Sequence, residues 1–405
     1  MSDFELWPVD REALYERAVR RGGELIAEQP VKPRFAPMAR VGVVAVVLAA
    51  SVSLTVLATS WSGPASKHGP TSNQHYTPLS ITSTVAPSPR TSVAMAYYPP
   101  DHEVVLFAGE TPSGHPYPHG LGDTWVFDAH GWKLLHPRHS PPPRNGGLMV
   151  YDPNTRLLML FGGYSARFKP TSVLSDTWAW NGNDWRSLHP KRVPTWMPGA
   201  SIAFDPKTGY VTELAPRPGY PGSFAPVATF NGDGGPVGRW LWTGQTWLYR
   251  REDPAPPMIS GSFVDDLPSG DLLFFGIEPY APSCGGPGSC PVLNDPTNTL
   301  ESQTWLWNGT RFSKQAPLLA PNLESLVVAD QRIGRTIAIQ PSGSLLAWSG
   351  STWTPVDSPK GPPDGGSAVY DPGLGDVVVF GTKTNTTSPT NQTWLWSGSR
   401  WLVVP

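Results

Sequence analysis

Six times after residue 90, an aromatic side chain is followed five positions later by another. The pairs are Phe127/Trp132, Trp180/Trp185, Trp242/Trp247, Trp307/Phe312, Trp348/Trp353 and Trp396/Trp401. Polar-glycine steps such as Asn181-Gly182, Thr243-Gly244, Asn308-Gly309 and Ser397-Gly398 separate the partners, and glycine there supplies the positive φ of a tight hairpin. Two positions before each first aromatic stands Trp125, Trp178, Trp240, Trp305, Leu346 or Trp394. A period of two puts both side chains on one face of a strand. Each unit therefore reads as strand, tight turn, strand.

A second hairpin precedes each of these. Tyr98-Pro99, Tyr151-Asp152, Phe204-Asp205, Asp265-Asp266, Ala329-Asp330 and Tyr370-Asp371 end a first strand. Apolar strands follow short turns, among them Val104 to Phe107, Leu157 to Phe161, Leu272 to Phe275 and Val377 to Phe380. Asp-Pro steps at 152–153, 205–206 and 371–372 suit such turns, because proline presets φ and aspartate caps the backbone. Four antiparallel strands, A to D, recur at intervals of 41 to 65 residues. Four-stranded units of roughly 50 residues are the blades of a propeller. Eighteen tryptophans supply the apolar area to bury, which excludes a disordered chain despite 48 prolines and 41 glycines. Charged residues make up 15% and the net charge is −2, so no global field draws nucleic acid to the chain. Two cysteines exclude a zinc scaffold and a disulfide framework.

The run MVYDPNTRLLMLFGG (149–163) followed by DTWAWNGNDW (176–185) resembles a kelch repeat, with an apolar strand, a double glycine and spaced aromatics. Ala108-Gly109 and the single Gly276 and Gly381 replace the double glycine elsewhere. The resemblance covers residues 90–405 and implies an all-β, six-bladed kelch-like propeller akin to the central domain of galactose oxidase. That enzyme's copper ligands and Cys–Tyr cross-link have no counterpart among these cysteines and histidines, so no cofactor and no metal are expected. Closure is expected by packing of blade 6 against blade 1, with Trp401 at the seam. Tyr76 to Ile81 resembles an additional D-type segment and reads either as an extra edge strand or as linker.

Ahead of the propeller, residues 41–60 (VGVVAVVLAASVSLTVLATS) carry no charge and no proline. At 1.5 Å per residue such a run spans roughly 30 Å, the hydrocarbon thickness of a bilayer. Arg21, Lys32, Arg34 and Arg40 lie on its N-terminal side and only Lys67 within a similar distance on the other. The positive-inside rule puts residues 1–40 in the cytoplasm and the propeller outside. A cleaved signal peptide is the rival, with a leader longer than usual. Residues 61–89, rich in Ser, Thr and Pro, read as a linker. The expected organisation is thus a tail (1–40), a single span (41–60), a linker (61–89) and a propeller (90–405).

In such a blade the B–C and D–A loops share one face. The B–C loops Glu110–Gly122, Tyr164–Ser175, Arg217–Gly238 and Ile277–Ser302 are long and unlike one another, and variable loops on a rigid scaffold are where binding concentrates. His115, His119, His136, His139 and His189 fall in the B–C and D–A loops of blades 1 and 2, with Tyr117, Arg138, Arg144, Tyr164, Lys191 and Arg192 nearby in sequence. They suit an anionic sugar or peptide, or read simply as scattered loop residues. Cys284 and Cys290 bracket a Gly/Pro loop that a disulfide would pin in an oxidising compartment. The sequence thus leads to a membrane-anchored, extracytoplasmic module that binds protein or glycan through its B–C/D–A face. Two alternatives stand beside it: a carbohydrate-active propeller enzyme, for which no motif selects a pair of carboxylates, and a transmembrane signalling protein with a short cytoplasmic helix.

Overall fold

The computed structural model describes residues 76–404, apart from 112–118, 166–172, 195, 197–199, 217–236, 252–255, 257–260, 268, 279–300, 323, 364 and 383–388. The apolar run 41–60, Cys284 and Cys290 lie outside the described residues. Among the described residues no helix is long and apolar enough to cross a membrane.

Six four-stranded antiparallel meanders follow one another along the chain. Strands A to D are Ala94–Tyr98, Glu103–Phe107, Thr124–Asp128 and Gly131–Leu135 in blade 1, and Leu148–Asp152, Leu157–Phe161, Thr177–Trp180 and Trp185–Leu188 in blade 2. Blade 3 has Ser201–Asp205, Tyr210–Pro216, Val237–Trp242 and Trp247–Arg251, and blade 4 has Gly261–Asp266, Asp271–Glu278, Glu301–Trp307 and Phe312–Gln315. Leu326–Asp330, Arg335–Ile339, Leu345–Trp348 and Trp353–Val356 make blade 5. Gly365–Asp371, Asp376–Thr382, Thr393–Trp396 and Trp401–Val404 make blade 6. The A strands of successive blades are neighbours around the axis, and those of blades 6 and 1 close the ring. The protein is a six-bladed β-propeller.

Each aromatic pair read from the sequence closes a C–D hairpin as directly opposed partners, from Phe127↔Trp132 to Trp396↔Trp401. Within each pair the ring centroids stand 4.8 to 5.4 Å apart. All twelve rings but Trp401 are buried. The second aromatic leans on the blade before it, and in four blades its indole N–H reaches a threonine on that blade's C strand. Trp185 donates to Thr124 (2.9 Å), Trp247 to Thr177 (3.3 Å) and Trp353 to Thr304 (3.1 Å). At the closing seam, Trp132 of blade 1 donates to Thr393 of blade 6 at 2.7 Å and packs against Phe380. Phe312 has no N–H, and at its junction Trp307 donates to Asp205 instead. Because the second aromatic faces the preceding blade, Trp401 belongs to the junction of blades 5 and 6, where it lies against Gly361. The expectation that it sits at the closing seam is corrected: Trp132 holds that place.

The A–B turns give a second correction. Tyr98, not Pro99, pairs with the first residue of strand B, as Asp152 and Asp205 do in their blades. Blade 1 is therefore shifted by one residue from the sequence alignment. Asp152, Asp205, Asp266, Asp330 and Asp371 are buried at this position and accept hydrogen bonds from groups of the turns they begin.

Blades 1 and 2 share an ion-pair lock. The guanidinium of Arg144 is fully buried and grips Asp176 through both nitrogens (2.7 and 2.8 Å), while Trp178 donates to the same carboxylate and the Gly162 carbonyl takes a further N–H. Arg90, Asp123, Trp125 and the Ala108 carbonyl repeat the arrangement in blade 1. Burial pushes Asp123 and Asp176 up, but the arginine hydrogen bonds and charge outweigh it and hold both below the ordinary carboxylate range. Ala108 takes the left-handed conformation (φ 64°) that Gly162 adopts in blade 2, so the imperfect double glycine keeps its backbone shape.

Residues 76–89 form no strand; they lie against the turns of blades 6 and 1. Thr77 donates to the Gly373 carbonyl, Ser80 to that of Ala129, and Thr82 and Ser83 to that of His130. Leu79, Ile81 and Ala86 pack onto the seam core, and Gly131 lets the chain pass close over it. The packed residues thus extend back to Tyr76. Ile81 is half-buried, so Ile81→Ala is expected to cost about 1 kcal/mol, below the roughly 2–5 kcal/mol of a fully buried site. Urea unfolding of the purified chain measures it.

Candidate functional site: the axial cavity

A cavity of about 1010 Å³ lies on the axis among the A strands and A–B turns. Its walls follow from the ring of positions just before the turn-capping residue. Register places Tyr97, Tyr151, Phe204, Asp265, Ala329 and Tyr370 there, one per blade. Four are aromatic, one is small and one is acidic. All six line the cavity, with Met95, Val150, Ile202, Val264 and Val369 deeper along the strands. Tyr370 is nearly covered, and its hydroxyl is pushed well above the ordinary phenol range by burial and by the neighbouring Tyr76 and Asp330.

Asp265 is exposed to the cavity yet walled in by protein, and burial together with Asp205 pushes its carboxyl up to about 6. Asp205 itself is engaged by the Lys207 and Thr208 amides, the Thr208 hydroxyl and Trp307. At the rim, the Tyr97 hydroxyl lies 3.3 Å from His102 Nδ1. Burial and Asp371 push that phenol up to about 12. Asp128 accepts the His130 amide, with the His130 ring 3.4 Å away. Asp101 and Asp128 also stand beside Glu103, whose carboxyl is pushed up to about 7 by burial first and by their two charges second.

The fourth residue of the A–B turn takes a left-handed conformation in every blade. Four blades use Gly209, Gly270, Gly334 and Gly375, whereas blades 1 and 2 place His102 (φ 57°) and Arg156 (φ 59°) there. A non-glycine residue in that region costs roughly 1–2 kcal/mol. Of the two, His102 lines the cavity, and backbone strain of this kind is typical of binding sites. The six aligned turns carry this signal in the sequence, once blade 1 is shifted by its one residue.

The described residues among those picked out from the sequence lie elsewhere. His115 and Tyr117 are outside the described residues, as is the side chain of His119, whose backbone pairs with Thr111. His136, Arg138 and His139 are exposed on the connection from blade 1 to blade 2, and His189 and Arg192 on that from blade 2 to blade 3. Each connection runs beside the C–D turn of the next blade. His139 contacts Asp184 through its amide and Nδ1, both at 2.7 Å, and the Arg192 amide donates to Thr246. Tyr164 is half-buried edge-on against Trp196. The structure therefore spreads these residues over two blade junctions and the B–C side, while Arg144 is consumed in its buried lock. His139→Ala is expected to shift stability by no more than about 0.5 kcal/mol, as exposed pairs of this kind do; thermal unfolding checks it. The B–C loops fall largely outside the described residues, except in blade 5, where Gln340 to Ser344 form a tight turn. Among the described residues no His, Cys, Asp and Glu group is arranged to hold a metal ion.

No protein-family model matches the sequence, and no curated protein does. Solved structures do match in shape. One of YjhT aligns with a TM-score of 0.50 at 14% identity, covering 79% of this chain and 99% of that one. SapL1 lectin in complex with alpha methyl fucoside aligns with a TM-score of 0.46 at 13% identity, covering 78% and 95%. At such identities the likeness to YjhT extends to the propeller fold and no further.

Proposed function

We propose that this chain is a membrane-anchored, extracytoplasmic binding module, a kelch-type propeller that takes a glycan or a peptide in its axial cavity. The observation that carries the reading is the cavity wall, in which aromatic faces and exposed carboxylates line a space large enough for an extended ligand. The binding side is thereby moved from the B–C loops to the A–B turns. The kelch assignment is supported by the shared lock of blades 1 and 2, whose Arg90 to Asp123 and Arg144 to Asp176 spacings are 33 and 32 residues. Anchoring rests on residues 41–60 and the basic bias before them. On this reading residues 61–75 tether the propeller by at most roughly 50 Å of extended chain. They join it at Tyr76 and Thr77, on the cavity side.

A glycosidase would need two carboxylates facing one bond. Here Asp371 is held by the Gly373 and Leu374 amides and Asp128 by His130, while the exposed carboxylates, Asp101 on blade 1 and Asp265 on blade 4, belong to opposite sides of the ring. Binding is the better fit. Glycan-array and envelope-extract capture with the full-length chain in detergent tests it, beside Ala329→Phe, which completes the aromatic ring and narrows the cavity. Ligands retained by the wild type and lost by a normally folded Ala329→Phe are expected. Capture that is undiminished in the variant would return the site to the B–C face. Protease added to intact cells is expected to remove the propeller; its protection would overturn the extracytoplasmic placement.

A further inference from the structure

The lining of the cavity is unevenly charged. Asp101, Asp128, Asp265 and Asp371 lie along it, with no lysine or arginine among the lining residues described. Its two imidazoles, His102 and His130, stand beside the Tyr97 hydroxyl and Asp128. Two guanidinium groups near the rim are turned to other work. Arg156 interacts with Tyr151 from the turn below it. Arg332 donates to the Ser397 carbonyl, pairs with Asp376 and stacks on Tyr76.

Asp265 is the one acid at the ring position before the turn cap. Asp371 is buried and caps its turn, whereas Asp265 is open to the cavity. In a six-membered ring, blade 4 stands opposite blade 1, so Asp265 faces the Tyr97 side of the ring across the axis. Tyr151 on blade 2 flanks that side, and Phe204 on blade 3 stands beside Asp265. A carboxylate opposite aromatic faces in a walled space is the arrangement that recognises an organic cation: the rings present negative faces to the charge and the carboxylate neutralises it. An anionic ligand would meet the repulsion of Asp265 there.

We infer that the axial cavity selects a ligand bearing an ammonium group, with Asp265 as its counter-charge and Tyr97, Tyr151 and Phe204 as the aromatic wall. This rests on the cavity being the binding site. Choline chloride and its uncharged carbon isostere, 3,3-dimethylbutan-1-ol, separate charge from shape. Both are titrated calorimetrically into the full-length chain in detergent at a pH above 7, where Asp265 is ionised. Choline is expected to bind at least about tenfold more tightly than the isostere. Asp265→Asn should bring choline down to the isostere's affinity and leave the isostere unchanged, with a melting temperature close to that of the wild type.

Equal binding of the two probes, with both lost in Ala329→Phe, would overturn the charge selection and leave the cavity as the site. Choline binding that survives Ala329→Phe would overturn both. So would the absence of choline binding at millimolar concentration together with an unchanged envelope capture by Ala329→Phe. Absence of choline binding alone overturns the ammonium assignment.

Discussion

Trp132→Ala is expected to lose about 4 kcal/mol of stability, near the middle of the range for truncating a buried aromatic. Its indole is 2% exposed and lies between the first and last blades, 5.3 Å from Phe380. Its N–H bonds to Thr393, 261 residues away in the chain. No strand is exchanged across this seam: all four strands of blade 6 come from the C-terminal end, and those of blade 1 begin at Ala94. Side-chain packing therefore closes the ring, helped by the Ser367 hydroxyl, which donates to the Val93 carbonyl. Thr393→Val keeps the volume and removes one acceptor, so its loss should be only about 1 kcal/mol. Denaturant unfolding of both variants beside His139→Ala measures the order. Equal losses for Trp132→Ala and His139→Ala would contradict the closure described.

Glu213→Leu is expected to do the opposite and stabilise the chain, by about 2 kcal/mol at pH 5 and by more at pH 8. Glu213 is fully buried on strand B of blade 3, and neither carboxylate oxygen has a hydrogen-bond partner. Pairing opposite Ile202 and Trp240 places it toward the core shared with blade 2. The corresponding positions of blades 1 and 2 are Leu106 and Leu160, so leucine is already the shape this site takes. A buried, unpaired polar group costs roughly 1–3 kcal/mol even when neutral.

Burial also raises the Glu213 pKa well above its ordinary value of 4.5, and the sign of the pH effect follows. The folded state holds this proton more tightly than the unfolded state. Stability is therefore greatest below 4.5 and is lost as pH rises above it, by about 1.4 kcal/mol per unit until the folded pKa is passed. Leucine carries no such loss, so the gap between variant and wild type should widen from pH 5 to pH 8. A gap that narrows would mean that Glu213 is ionised and stabilised in the folded chain. Glu103, pushed up to about 7, acts in the same direction between 4.5 and 7. Asp123 and Asp176 act in the other direction, only below about their ordinary 3.8.

The propeller was legible because its aromatic hairpins repeat for a physical reason. Every blade must bury the same two rings against its neighbour, so Trp180/Trp185 and its counterparts recur at fixed spacing. The axial ring has no such requirement. Side chains there face a cavity rather than a packing partner, and Tyr97, Tyr151, Phe204, Asp265, Ala329 and Tyr370 share no type for a pattern to catch. Pro99-Pro100 concealed the ring further by shifting the reading of blade 1 by one residue. Glu213 and Thr212 interrupt the apolar run that marks strand B in blades 1, 2, 4 and 6, which left that strand of blade 3 unmarked. The histidines drew attention by clustering in the sequence, but of the described ones His136 and His139 lie on one blade junction and His189 on the next. Arg144 looked like a free loop cation because its partner Asp176 lies just before another strand, 32 residues on.

Hydrogen exchange with and without a glycan or peptide captured by the full-length chain tests the central claim, that ligand enters the axial cavity. Protection is expected in the A strands and A–B turns around it, at residues 95–102, 202–209, 263–270 and 327–334. Protection confined to the B–C loops, at 110–122, 164–175, 217–238 and 277–302, would contradict it.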